Sequence, residues 1–194
     1  MKVCGLTGGV GMGKSTAAGF LLTSGVRVID TDDLARELVQ PGEPALAEIV
    51  VAFGKEILGA EGQLHRAELA RRIFASAPAR QKLEAILHPR IRARWAAQIE
   101  AWRRENCTLA VVVIPLLFET AAEKHFDKIL CVACSPAAQQ ARLRERGWPP
   151  EQILQRIAAQ LPVEQKIARS HHVLWTEGTL EVHRRQITTI LSRL

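Results

Sequence analysis

The chain has no tyrosine, and its 194 residues include only four tryptophans and five phenylalanines, 5% aromatic in all. Proteins that hold single-stranded nucleic acid stack its bases on aromatic side chains. The shortage therefore argues against an RNA-binding module, despite a formal net charge of +6 and a pI near 9.5. An enzyme that handles polyphosphates would also be basic. Arginine clusters at 90–94, 103–104 and 142–146 read mainly as solvated helix faces, the last excepted. No apolar run reaches the roughly 18 residues of a membrane-spanning helix. The longest, Leu109 to Phe118, contains Pro115 and suits a buried strand. Met1-Lys2 leads straight into apolar residues, without the hydrophobic segment and cleavage site of a secretory signal, so a cytoplasmic location and no membrane partner are expected. Cysteine is scarce: Cys4, Cys107, Cys131 and Cys134. The last two have C-x-x-C spacing, but in an expected strand residues three apart face opposite ways, and no second pair follows. Buried thiols are expected, with neither zinc nor a structural disulfide. Repeats, low-complexity tracts and linkers are missing too, and 47% hydrophobic with 24% charged residues is ordinary globular usage, so a single domain is expected.

Glycine, by contrast, is concentrated in one place. The apolar run Val3 to Leu6 breaks into Gly8, Gly9, Gly11 and Gly13 within six residues and then into a helix-compatible segment. Gly8, Gly13, Lys14 and Ser15 match G-x-x-x-x-G-K-[ST], the P-loop pattern, in the strand–loop–helix context it requires. Each residue type answers a physical demand. Glycines let the backbone curl with positive φ and turn its N–H groups inward, and the following helix N-terminus completes a concave anion site. Lys14 is placed to reach the β- and γ-phosphates, and the Ser15 hydroxyl to ligate Mg²⁺. A nucleoside triphosphate site follows, with Gly8, Gly9, Gly11, Met12, Gly13, Lys14, Ser15 and Thr16 as its candidate residues.

Further along, Val26 to Ile29 predicts a second strand ending in Asp30-Thr31-Asp32-Asp33. Carboxylates at the carboxyl end of a strand in an open α/β sheet lie where such folds place ligands. Asp33 is the expected N-cap of a helix over 34–39, which leaves Asp30 and Asp32 as candidates to face the phosphates. The alternative, that all three merely cap the helix or solvate the loop, stays open. After the break Gln40-Pro41-Gly42-Glu43-Pro44, the segment to about Glu105 is helical in period. Leu64, Leu69, Ile73 and Phe74 make one apolar set, and Leu83, Leu87, Ile91, Trp95, Ile99 and Trp102 form an amphipathic stripe. This block reads as a helical insertion between the second and third strands, suited to a second substrate. Pro89 is expected to start a new helix or mark a kink after His88, whose role the residues alone leave open. Thr108 to Ile114 predicts a central parallel strand. Pro115 stands where a Walker-B aspartate would, so direct metal ligation from this strand is not expected. Lys128 to Ala133 predicts a fourth strand, Ser135-Pro136 a helix start, and Arg142 and Arg146 share a face of that helix. A helix kinked at Pro162 over 151–169, a strand over 173–175 and a closing helix over 181–194 complete the reading.

This order describes a P-loop kinase; the D-x-x-G and N-K-x-D motifs of a GTPase are missing. The segments L-T-G-G-V-G-M-G-K-S-T, V-I-D-T-D-x-L-A-R, G-Q-L-H-R-x-x-L, L-x-x-I-L-H-P-x-I, I-P-L-L-F-E, S-P-x-x-Q-x-x-R-x-x-x-R and R-I-x-x-Q together resemble the dephospho-CoA kinase family over residues 1 to about 178. The resemblance implies an α/β P-loop kinase-like three-layer fold: a five-stranded, mostly parallel sheet from 1–40 and 106–194, a helical substrate-binding insertion over 41–105, and a lid over 136–150. It implies ATP with Mg²⁺ and transfer of the γ-phosphate to the ribose 3′-hydroxyl of dephospho-CoA. Asp32 corresponds to the family's base or positioner, with Lys14 and Arg142 beside it in catalysis. Arg66, His88 and Pro89 correspond to substrate contacts, and Arg142 and Arg146 to lid arginines. Nucleic acid is not an expected partner, and a monomer or weak homo-oligomer is. Another P-loop small-molecule kinase is the alternative. Two departures stand out: Met12 within the loop, tolerable if its side chain points away from the phosphates, and Trp175-Thr176 where the family has an asparagine near adenine.

Overall fold

Five short strands, β1 (Lys2–Gly8), β2 (Arg27–Asp30), β3 (Leu109–Val113), β4 (Lys128–Ala133) and β5 (His172–Trp175), form one sheet in the order β2-β3-β1-β4-β5. β1 pairs in parallel with β3 on one side and β4 on the other, and β4 pairs in parallel with β5. The computed structural model describes residues 1–194, apart from the side chains of Phe74 and Ala75. Strands covered on both faces need near-continuous apolar sequence, and Ala110, Val111, Val112 and Val113 of β3 are all fully buried. The expected five-stranded, mostly parallel sheet of an α/β fold is therefore present.

The chain divides into two compact units, one of Met1–Ile29 with Trp102–Leu194 and the other of Asp30–Ala101. In the first, α1 (Lys14–Thr23) and α9 (Leu180–Leu191) cover the sheet. Leu6, Leu21, Val111, Leu130, Leu174 and Ile187 meet there in one cluster. Each such side chain withdrawn from water contributes about 1.5–3 kcal/mol. The same unit holds α6 (Pro136–Glu145), α7 (Pro150–Ala158) and α8 (Val163–Ala168). The expected kinked helix over 151–169 is two helices: α7 closes at Ala158 with Ala159 as its C-cap, and Pro162, extended at ψ 138°, is the N-cap of α8.

The second unit is helical, as its periodicity predicts: α2 (Thr31–Glu37), α3 (Pro44–Phe53), a 3₁₀ turn at Lys55–Ile57, α4 (Arg66–Ala75) and most of α5 (Ala77–Arg104). Its core is Leu38, Val39, Ile49, Ile57, Leu69 and Ile86, with Leu64, Ile73, Leu83, Leu87 and Ile91 against it. Phe74, assigned to the same apolar set, falls outside the described side chains. Trp95 and Ile99 are buried, which makes this tryptophan core rather than a stacking platform.

Two local expectations are corrected. Asp30, not Asp33, caps α2: its backbone is extended (φ −103°, ψ 122°) and its Oδ1 accepts the Asp32 N–H at 2.8 Å. Asp33 is already helical and pairs with Arg36 one turn on. Pro89 does not start a new helix, one of the two outcomes expected for it, but lies inside the 28-residue α5. An interior proline removes one backbone donor and crowds the preceding turn. The Arg90 guanidinium donates from Nη1 to the Ile86 carbonyl at 2.8 Å, one residue past the Ala85 carbonyl that a backbone N–H at position 89 would have served.

Candidate active site

The loop between β1 and α1 has the backbone its glycines foretell. Gly11 and Gly13 have φ of 75° and 97°, and a Cβ on Gly8 would stand 2.2 Å from the Val132 carbonyl oxygen. Gly13 caps α1 without a side chain, and the first turn carries no acidic residue. The α1 amides therefore keep their full positive potential for an anion. Lys14 Nζ donates to the carbonyls of Gly8 (2.9 Å) and Gly9 (3.0 Å), within the loop it is meant to serve. Ser15 and Thr16 are exposed on the first turn. Met12 is buried with its sulfur against Gly9, so its bulk is taken up inside the fold rather than on the surface.

Thr176, just past β5, joins this loop to α6. Its hydroxyl donates to the Met12 carbonyl at 2.9 Å and accepts from Arg142 Nη1 at 2.8 Å, while Arg142 Nη2 reaches the Thr176 carbonyl at 2.5 Å. The residue is buried. It thus braces the loop and seats Arg142. Arg146, four residues on, is exposed at the C-cap of α6. The helix starts as predicted, with Ser135 Oγ accepting from the Ala138 amide at 3.2 Å and Pro136 in the first position. Glu177 accepts the Ser135 N–H, and the Ser135 side chain first, with this backbone bond second, holds its carboxyl below the usual range.

Composition gave no reason to single out several other groups around the loop. Gln139 Nε2 donates to the Val10 carbonyl at 2.7 Å, and the Val10 N–H donates to Gln160 Oε1 at 2.8 Å. Lys166 is fully buried, paired with Glu119 at 2.8 Å and donating to the Pro115 carbonyl at 2.8 Å. That carbonyl also accepts from Thr7 Oγ1 at 3.2 Å, so the end of β3 is engaged by a lysine and a threonine. The motifs S-P-x-x-Q, I-P-L-L-F-E and R-I-x-x-Q carried Gln139, Glu119 and Gln160 without indicating what they do. Cys4, Cys131 and Cys134 are buried, and burial pushes the first two thiols up to about 11, so they are poor nucleophiles and metal ligands.

In the Asp30–Ala101 unit the candidate residues stand on three elements. Asp32 is exposed in the first turn of α2, Arg66 is exposed at the start of α4, and His88 and Pro89 are midway along α5. His65 caps α4, its Nδ1 accepting the Glu68 N–H at 3.2 Å. A cleft of about 340 Å³ has an apolar floor of Leu38, Pro44, Ala45 and Ala97, with Arg90 and Arg94 on its rim. These arginines pair with Glu48 and Glu43.

Among the described residues no three His, Cys, Asp or Glu side chains converge on a metal position. A magnesium ion usually keeps several waters and takes substrate phosphates with only one or two protein ligands. The exposed Ser15 hydroxyl at the start of α1 suits that donor set.

The chain matches the family model for dephospho-CoA kinase over residues 2–181. A dephospho-CoA kinase of Syntrophotalea carbinolica is 40% identical over 195 residues, spanning 100% of this chain and 92% of that protein. Among solved structures, TT1252 from Thermus thermophilus superposes with a TM-score of 0.83 at 34% identity, over 100% of this chain and 97% of that one. A dephospho-CoA kinase from Campylobacter jejuni gives 0.73 at 22% identity, over 98% and 96%, a likeness of fold.

Proposed function

This chain belongs to the dephospho-CoA kinase family, and we propose from that premise how its residues divide the family's reaction. The activity is phosphoryl transfer from ATP to a hydroxyl of dephospho-CoA, giving ADP and coenzyme A; the acceptor is the ribose 3′-hydroxyl. The family match over 2–181 carries this reading, and the uncapped, acid-free start of α1 behind a positive-φ glycine loop supports the donor half of it.

The loop amides and Lys14 hold the β- and γ-phosphates, with Gly8, Gly9, Gly11, Met12 and Gly13 contributing backbone. Ser15 would hold magnesium, which when bound withdraws charge from the phosphates. The acceptor oxygen attacks the γ-phosphorus, the bond from that phosphorus to the bridging oxygen breaks, and ADP leaves with the electron pair. Asp32 orients the hydroxyl and takes its proton, which then passes to solvent. Arg142 and Arg146 neutralise charge on the transferring group and exclude water, and the engagement of Arg142 by Thr176 presets its position. The helical unit binds dephospho-CoA through Arg66, His88 and Pro89. The protein works as one domain with a helical substrate subdomain and a lid around α6, in the cytoplasm, as a monomer or weak homo-oligomer.

A coupled ADP-release assay tests this. Release with dephospho-CoA, with the product gaining one phosphate by mass, is expected. Release only with nucleoside monophosphates or shikimate would move the activity to another P-loop kinase.

A further inference from the structure

We infer that Gln139 and Gln160 are positioning residues that clamp Val10, and that through them α6 and the α7–α8 connection set the shape of the phosphate loop. Val10 lies between Gly9 and Gly11 in the most glycine-rich part of the chain. Such a segment loses more backbone entropy on ordering than any other. Both main-chain polar groups of Val10 are taken by glutamine side chains from 129 and 150 residues away: its carbonyl by Gln139 Nε2 at 2.7 Å and its N–H by Gln160 Oε1 at 2.8 Å. Gln139 is itself buried. A carboxamide can donate at one position and accept at the other without bringing charge to an anion site.

The clamp is anchored at its far end. The amide of Leu161, next to Gln160, donates to Glu119 Oε1 at 2.8 Å. Glu119 pairs with the buried Lys166, and Lys166 donates to the Pro115 carbonyl that also receives Thr7 Oγ1. Thr7 directly precedes Gly8. The bonds therefore form a circuit from the loop's stem, through the residues after β3 and the start of α8, back to Val10. A loop fixed this way is ordered when the protein folds rather than when ATP binds, and the nucleotide keeps the difference as affinity. Gln139 also sits one turn before Arg142 on α6, so the helix that grips the loop carries the arginine assigned to the γ-phosphate.

The inference rests on the donor-site reading of the loop, and its test separates the two. ATP affinity is measured by titration calorimetry without acceptor in the full-length protein, in Gln139→Met, Gln160→Met, the double variant and Lys14→Ala. Each glutamine variant should bind ATP up to about tenfold more weakly, the span of one net hydrogen bond. KM for ATP should rise in step, with KM for dephospho-CoA unchanged. The double variant should lose little more than the worse single one, because both side chains act on one residue. Hydrogen exchange should quicken in the 8–13 segment and not in β3 or β4. Unchanged ATP affinity in both glutamine variants, with Lys14→Ala weakened, overturns the clamp alone. Unchanged affinity in Lys14→Ala overturns the donor-site reading and the clamp with it. Equal loss of thermal stability in both glutamine variants without faster exchange in the loop makes them purely structural, which also overturns the clamp.

Discussion

Asp32 shows how one hydrogen bond frees a residue for chemistry. Three carboxylates crowd the start of α2, and which of them caps the helix depends on backbone angles that composition does not reveal. Asp30 is extended and takes the cap; Asp32 follows two residues later as an exposed helical residue whose amide, not its carboxylate, serves that cap. Asp32→Asn should therefore lower kcat by about a hundredfold or more, the usual contribution of a positioned general base, while the thermal unfolding midpoint stays put. Near-normal turnover would remove Asp32 from its role. At the same scale, the loop was legible because glycine followed by Lys-Ser in a strand–helix context has few other uses. Gln139 and Gln160 were not, because a glutamine has no signature until the backbone groups it serves are in place. Met12, the departure within the loop, is accommodated by burying its side chain.

At the scale of elements, hydrophobic periodicity placed every strand and the helical block, because apolar spacing records which face is covered. Interruptions were harder to read, since the same residue type can stand between two helices or be carried inside one. Pro162 separates α7 from α8, whereas Pro89 stays inside α5 with the Arg90 guanidinium on the Ile86 carbonyl. An interior proline costs a helix about 3 kcal/mol relative to alanine, part of which is offset by the entropy it removes from the unfolded chain. Pro89→Ala should thus stabilise the protein by about 2 kcal/mol, read as a higher urea midpoint. If the proline is retained for the acceptor, the same variant should raise KM for dephospho-CoA and leave KM for ATP alone. Added stability with both constants unchanged would take Pro89 out of the substrate site.

At the scale of the whole molecule, the response to acid follows from which titrating groups the fold keeps dry. His183 on α9 is buried, edge-on to Phe20 with ring centroids 5.4 Å apart, and its Nε2 has no hydrogen-bond partner. Burial first, and the positive charge of Arg142 second, hold its pKa below the ordinary 6.5. Burial likewise lowers His172, with His171, Lys128 and Arg193 adding to the effect. A histidine with a depressed folded-state pKa binds protons more readily when the chain is unfolded. Its stabilising contribution is complete above about 6.5 and is lost as the pH falls from there towards the folded value. Glu68 works in a different window. Bonds from Arg71 and Arg72 lower it to about 2, so its contribution is present above 4.5 and declines only as the pH drops towards 2. Between pH 7 and pH 5 His183 and His172 should both add to the fall in stability. His183→Phe keeps the ring contact with Phe20 and removes the titration, so its urea midpoint should fall less than that of the parent protein over this range. Tryptophan fluorescence reports mainly on the relevant unit, which holds Trp102, Trp148 and Trp175, three of the four tryptophans, with Trp95 in the other. Equal falls in the two proteins would mean that His183 charges as readily in the fold as in the open chain, and that water reaches its ring.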